Sequence, residues 1–242
     1  MSLNVDIAVA VGTPAALAVK NAVGTTPVVL VGVADPVGAD LVETLARPGR
    51  NATGLSALAD DTLGQSLQRL AELVPRLSRV AVLSNPASPG VHAQAVREAE
   101  TAGPALGLQV QLLAVRPAGE LDRAFQAMTR QRAGALLVLS DPLFDLHRQR
   151  ILDLAAKSRL PAMYGTRDWV DAGGLASYGA SETELCRRAA AYLDRILKGA
   201  APADLPMEPP TQFELVVNLK AAKALGLKIS APALRRADEV VE

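Results

Sequence analysis

Short apolar runs rich in β-branched residues alternate along this sequence with longer stretches of helical period, and that alternation constrains the fold more than any other feature. A strand followed by an amphipathic helix is the repeating unit of a parallel sheet. Parallel neighbours need a long crossover, and a helix supplies it while covering one face of the sheet. The pattern predicts strands at Asp6 to Val11, Pro27 to Val33, Ala52 to Leu55, Arg79 to Leu83, Gln109 to Ala114, Ala135 to Leu139, Pro161 to Tyr164, Leu175 to Tyr178 and Phe213 to Val217. Between them, Thr62 to Leu73 sets Leu63, Leu67, Leu70 and Leu73 on one face before Pro75 stops the helix. Glu120 to Gln131 does the same with Leu121, Phe125 and Met128, and Glu182 to Leu197 with Leu185, Ala189, Leu193 and Ile196. The expected class is α/β with parallel sheets.

A chain of 242 residues, half of them hydrophobic, can bury the cores of two lobes. Two stretches leave a strand through small or turn-forming residues before a fresh helix: Ser56-Ala57-Leu58-Ala59-Asp60-Asp61-Thr62 and Gly173 through Ser181. Reading both as lobe crossings gives a first Rossmann-like lobe from 5–59 with 179–217, a second from 60–178, and a C-terminal helical segment, 218–242, near the hinge. The alternative is that both are loops of one continuous sheet. On the two-lobe reading the first lobe has only the strands near Asp6, Pro27 and Ala52 before the first crossing, against four in the second. That imbalance predicts an N-terminally truncated first lobe, whose exposed sheet edge and apolar face invite self-association.

Lys plus Arg and Asp plus Glu each number 25, which leaves no net charge to hold a phosphate backbone, and aromatics are 3% of residues. Nucleic acid is excluded as an expected partner. One cysteine and two histidines make neither a disulfide nor a zinc site, so no metal and no cofactor is expected. Cys186, within a helical run, reads as a buried thiol. The opening Met1-Ser2-Leu3-Asn4-Val5-Asp6 has neither the basic nor the apolar region of an export signal, and no apolar run reaches the length of a membrane span.

In open α/β sheets, ligands lie outside the carboxyl ends of the strands, so the strand-exit turns are where function is sought. They read Val11-Gly12-Thr13-Pro14-Ala15, Ala34-Asp35-Pro36-Val37-Gly38, Ser84-Asn85-Pro86-Ala87-Ser88 and Ser140-Asp141-Pro142-Leu143-Phe144. Each places a side-chain oxygen directly before proline, at Thr13, Asp35, Asn85 and Asp141, which fits a helix N-cap followed by its first helical residue. Gly12, Thr13 and Pro14 suit an anion at a helix N-terminus, where free N–H groups and a partial positive charge meet a hydroxyl. Asp35 and Asp141 could accept from an ammonium group, with Ser84, Asn85 and Tyr164 completing the candidate set. Donors for an anion beside acceptors for a cation describe an amino acid or related zwitterion.

Signatures of catalysis are absent from the sequence: there is no Gly-x-Ser-x-Gly elbow, Walker loop, Gly-x-Gly-x-x-Gly fingerprint or metal-ligand spacing. His92, His147 and the run His147-Arg148-Gln149-Arg150 read as solvated helix surface, and Asp60-Asp61 as caps of the following helix. An α/β enzyme acting on a small molecule, or the effector-sensing domain of a regulator, stand as alternatives to a binding receptor, since fold alone does not fix function.

Several segments together resemble the ABC transporter substrate-binding proteins related to the tryptophan-binding receptor TrpX. They are Gly12 to Ala16, Asp35 to Val42, Arg47 to Gly54, Ala172 to Gly179, Ile196 to Gly199, Phe213 to Asn218 and Ala224 to Leu227. The resemblance runs from Asp6 through essentially the whole chain. It implies the type I periplasmic-binding-protein fold, a ligand held in the interlobe cleft, ABC transporter membrane subunits as partners and a periplasmic or otherwise extracytoplasmic location. Such chains continue upstream of the position of Asp6. Aromatic-amino-acid binders of this kind tend to carry Asp-Asn where this chain has Asp141-Pro142.

Overall fold

The computed structural model describes residues 5–57 and 61–242. In chain order the strands and helices are β1 (Ala8–Val11), α1 (Gly12–Ala22), β2 (Val28–Val33), β3 (Ala52–Ser56), α2 (Thr62–Leu73), β4 (Arg79–Ser84), α3 (Pro89–Ala105), β5 (Gln109–Ala114), α4 (Leu121–Arg130) and β6 (Ala135–Val138). They continue as α5 (Pro142–Leu146), α6 (Arg148–Lys157), β7 (Ala162–Tyr164), α7 (Arg167–Asp171), β8 (Ala176–Ala180), α8 (Glu182–Leu197), β9 (Phe213–Asn218), α9 (Leu219–Ala224), α10 (Ala231–Leu234) and β10 (Glu239–Val241). The chain forms two compact units, one from residues up to the first crossing with Ala180–Gln212, the other from Asp61–Gly179 with Phe213–Glu242. The two Rossmann-like units are each an α/β assembly on a parallel sheet.

The first unit has a three-stranded sheet in the order β1-β2-β3, with Ala8 opposite Val28 and Val28 opposite Ala52. Alternation along β2 feeds both faces. Val28 and Leu30 meet Ala10 and Ala16 on the α1 side, while Val29 and Val31 meet Leu55, Leu185, Ala189, Tyr192 and Ile196 on the α8 side. The cover is incomplete at β1, where Val9 and Val11 are 49% and 55% exposed on an edge strand.

The second unit has seven strands in the order β10-β9-β8-β7-β6-β4-β5. Both faces are buried, as a parallel sheet between helical layers requires. Val80 and Val82 pack under Leu63, Leu67, Leu70 and Leu73 of α2, and Ala81 and Leu83 pack with Phe125, Met128 and Ile151 of α4 and α6. Emptying one such position by Leu→Ala costs about 2–5 kcal/mol. Because β5 and β6 lie on opposite sides of β4, the strand order reverses there. That is where an open sheet forms a crevice at its carboxyl edge.

Several expectations are corrected. The strand expected at Phe213 to Val217 in the first lobe lies beside β8 in the second unit's sheet, and segment 218–242 is not purely helical, since Glu239–Val241 adds β10 parallel to β9. Three residues, one of them acidic, carry too little periodicity to be seen as a strand. Cys186 is exposed, because the buried stripe of α8 runs through Leu185, Ala189, Tyr192 and Ile196 and turns its neighbour outward. Leu58, Ala59 and Asp60, the middle of the expected first crossing, lie outside the described residues, as do Met1 to Asn4.

Candidate functional site

Two polar groups stand at the carboxyl ends of the strands, one in each unit. In the first, β1 runs directly into α1 through Gly12, whose φ of +76° is a conformation that a Cβ would disfavour. Val11 occupies the N-cap and makes no side-chain cap, so the first-turn N–H groups have no capping oxygen from it. Thr13 is inside the helix rather than its cap: its Oγ1 accepts the Ala34 N–H at 3.2 Å and ties this turn to the exit of β2. Pro14 follows in the first turn, exposed. Asp35 does not cap a helix either. Its Oδ1 accepts the Gly38 N–H at 2.8 Å and closes a turn, which Leu41 N–H extends by donating to Pro36 O at 2.9 Å.

In the second unit the side chains converge on the switch point between β4 and β6. Asp141, 3% exposed, is the one member of the four pre-proline oxygens that caps a helix. Its Oδ1 accepts the Leu143 N–H at 2.9 Å with Pro142 opening α5. The same oxygen accepts Asn85 Nδ2 at 2.9 Å, and Oδ2 accepts the Ser88 hydroxyl at 2.5 Å. Asn85 is not a cap, because α3 begins four residues later; its Oδ1 accepts the Ala87 N–H at 2.9 Å in a local turn. Ser88 holds the N-cap position of α3, but its hydroxyl is turned to Asp141. Ser84, fully buried at the end of β4, pairs its hydroxyl with His92 Nδ1 at 3.0 Å. Ser140 and Gly165 meet across the next strand end, where a Cβ on Gly165 would stand 2.0 Å from Ser140 Oγ.

The structure therefore joins Asn85 to Asp141, with Ser84 at the same strand end but turned to His92, and in the other unit ties the Gly12-Thr13-Pro14 turn to Ala34, the neighbour of Asp35. Tyr164, the remaining candidate, is buried in the second unit. Its ring is 1% exposed and stacks on Trp169 at 4.5 Å, and burial pushes its hydroxyl pKa up. Trp169 donates from Nε1 to Asp145 Oδ1 at 3.0 Å beneath the Arg148 guanidinium, which lies 5.6 Å above the indole. Burial raises the Asp145 carboxyl above the ordinary carboxylate value, opposed by the Trp169 hydrogen bond and Arg148. Arg148 is thus packed rather than simply solvated.

Sequence reasoning missed Ser88 and His92. Helical position hid both, although their three- and seven-residue offsets from Asn85 set them on the turn's own helix. Asp61 does hold the N-cap position of α2, but its side chain makes no cap bond; the Leu63 and Gly64 N–H groups donate instead to Glu98 of α3 at 2.7 and 3.4 Å. Among the described residues, no group of three or more His, Cys, Asp and Glu side chains could hold a metal, and no helix is long and apolar enough to cross a membrane.

A family model described as ABC transporter substrate binding protein matches residues 1–241. A curated relative, the tyrosine-binding protein of Clostridioides difficile (strain R20291), is 25% identical over 227 residues, 93% of this chain. This chain spans 65% of that relative's length. Among solved structures, the ABC domain in complex with L-Trp from Streptococcus pneumoniae superposes with a TM-score of 0.82 at 28% identity, covering 98% of this chain and 79% of that one. A conserved domain protein from Vibrio cholerae O1 biovar eltor does so at 0.81 and 27% identity, with the same coverage. These neighbours carry the type I periplasmic-binding-protein-like fold.

Proposed function

This chain belongs to the ABC transporter substrate-binding protein family, and on that premise we propose that it serves as the solute-binding receptor of an importer, taking up an α-amino acid or related zwitterion outside the cytoplasm and presenting it to the transporter's membrane subunits. The family match over residues 1–241 carries this reading. It favours a receptor over the enzyme and regulator alternatives. The amino-acid class rests on two relatives whose names specify tyrosine and L-Trp.

The turns support the class without fixing the side chain. The first turn of α1, with no side-chain cap from Val11, and the Thr13 hydroxyl suit a ligand carboxylate, while Asp35 places negative charge at the neighbouring strand end. In the second unit the Asn85 and Asp141 side chains hydrogen-bond one another, so their part is to hold the turns in place. The ligand of this proposal lies between the carboxyl ends of the two units' strands, and contacts from both stabilise a closed state that the membrane partner recognises.

Calorimetric titration with a panel of α-amino acids led by L-tyrosine and L-tryptophan tests it. At least one is expected to bind with a Kd in the micromolar range or tighter. Thr13→Ala then weakens it by about ten- to a hundredfold, the value of a hydrogen bond to a charged group. Absence of binding to every member, with no amino acid co-purifying by mass spectrometry, would refute the reading.

A further inference from the structure

At the end of the second unit's sheet remote from the polar turns, a cavity of about 590 Å3 is lined by Arg79, Arg130 and Arg132 together with Gln109, Gln111 and Gln131. Arg79 opens β4 and Gln109 opens β5, while Arg130 to Arg132 join the end of α4 to β6. These strands are parallel, so the cavity lies at their amino edge.

The Arg79 guanidinium and the Arg132 backbone are held in place. Arg79 donates from Nε to Gln109 Oε1 at 3.1 Å and from Nη1 to the Gln131 carbonyl at 3.5 Å, with further N–H donors remaining. Arg132 adopts φ 55°, fixed by its own N–H donating to Thr129 O at 3.1 Å and by Ala133 N–H donating to Met128 O at 3.0 Å. Glycine ordinarily stands at such a helix end. Among the described residues, none of the three guanidiniums has a carboxylate within ion-pair distance.

Cations at the end of a helix complement its macrodipole, which accounts for Arg130 and Arg132. It does not account for Arg79, which comes from a strand and faces the same space. Three exposed guanidiniums beside three amide side chains around one concavity favour an oxyanion of charge two or more. An amino acid fits poorly here, since its ammonium would meet guanidiniums, and neither a carboxylate nor an aromatic ring lines the cavity.

We propose that this cavity is a second binding site, specific for a phosphate-bearing anion and independent of the amino-acid site. The phosphate group could belong to a soluble compound or to a lipid headgroup, and the guanidinium chemistry is the same for both.

The test titrates inorganic pyrophosphate into the protein at physiological salt, and in parallel measures co-sedimentation with vesicles containing phosphatidylglycerol against purely zwitterionic vesicles. The expected result is binding in at least one arm, weakened about tenfold or more in Arg79→Gln/Arg132→Gly and unchanged in Arg159→Gln, which lies outside the cavity. Pyrophosphate binding assigns a soluble phosphate, and vesicle binding alone assigns a headgroup. Circular dichroism verifies folding, and the single variant Arg130→Gln carries the test if the double variant does not fold. No binding in either arm, or binding that these variants leave unaltered, overturns the proposal.

Discussion

Removing the Asp141 carboxylate is the most informative perturbation of the switch point. Its oxygens accept from Leu143 N–H, Asn85 Nδ2 and Ser88 Oγ, and the side chain is almost wholly buried. Losing the helix cap costs about 1 kcal/mol. Each of the other bonds, being made to a charged group, contributes roughly 1.5–3 kcal/mol in isolation. Asn85 and Ser88 are half-buried and can rehydrate once freed, which holds the total near the lower end. We expect Asp141→Ala to cost about 3–5 kcal/mol, on the order of 10 °C in melting temperature for a chain of this size. Asp141→Asn keeps the cap through its amide oxygen and costs about 1–2 kcal/mol. Trp169, the chain's one tryptophan, lies in the second unit, so urea unfolding followed by its fluorescence reports on the unit concerned. A double-mutant cycle with Asn85→Ala isolates the pair, with a coupling of about 0.5–3 kcal/mol expected. An Asp141→Ala variant within about 1 kcal/mol of the parent would show that the contacts are replaceable and sink the argument. As a candidate acceptor for an ammonium group Asp141 would matter to affinity; its three internal hydrogen bonds put the expected loss in stability.

Asp145 should make the second unit's stability fall as pH rises past the ordinary carboxylate value of 3.8, because its folded-state pKa is raised and the protonated form is favoured in the fold. Asp145→Asn retains an acceptor for Trp169, so its stability relative to the parent should increase between pH 4 and pH 7 in thermal melts; a pH-independent difference would argue against it. The edge strand β1, with Val9 and Val11 exposed, should drive concentration-dependent association of this chain. Sedimentation velocity is expected to show the association diminished in Val9→Lys/Val11→Lys, and a parent that stays monomeric at about 100 μM would dismiss the idea.

The parts of this fold written in strong periodicity were legible. The run from Glu182 to Leu197 is α8 and that from Thr62 to Leu73 is α2, each to the residue, because an uninterrupted apolar stripe and a stop signal define both. Membership of β9 was not legible, since Phe213 to Asn218 is equally apolar in either sheet and only packing against β8 decides. At the site, the turns were found but their chemistry was misread. A Ser, Thr, Asn or Asp before proline can cap a helix, close a turn or bridge to another strand, and local sequence does not distinguish these outcomes. Thr13 bridges to Ala34, Asp35 closes a turn, and Asn85 both closes a turn and reaches Asp141, fifty-six residues away in the chain. His92 looked like surface because its partner, Ser84, lies on the preceding strand and is hidden from helical periodicity.

The order in which the chain visits its two units bears on synthesis. Val29, Val31 and Leu55 are sealed by Leu185, Ala189, Tyr192 and Ile196 of α8, which emerge from the ribosome about 130 residues after β3, roughly 6 to 26 s later at ~5–20 residues per second. Until α8 is made, β2 and β3 have one apolar face with nothing to seal it. The nascent segment holding β2 and β3 is thus a natural client for a holding chaperone, and a translational pause before α8 would lengthen its exposure.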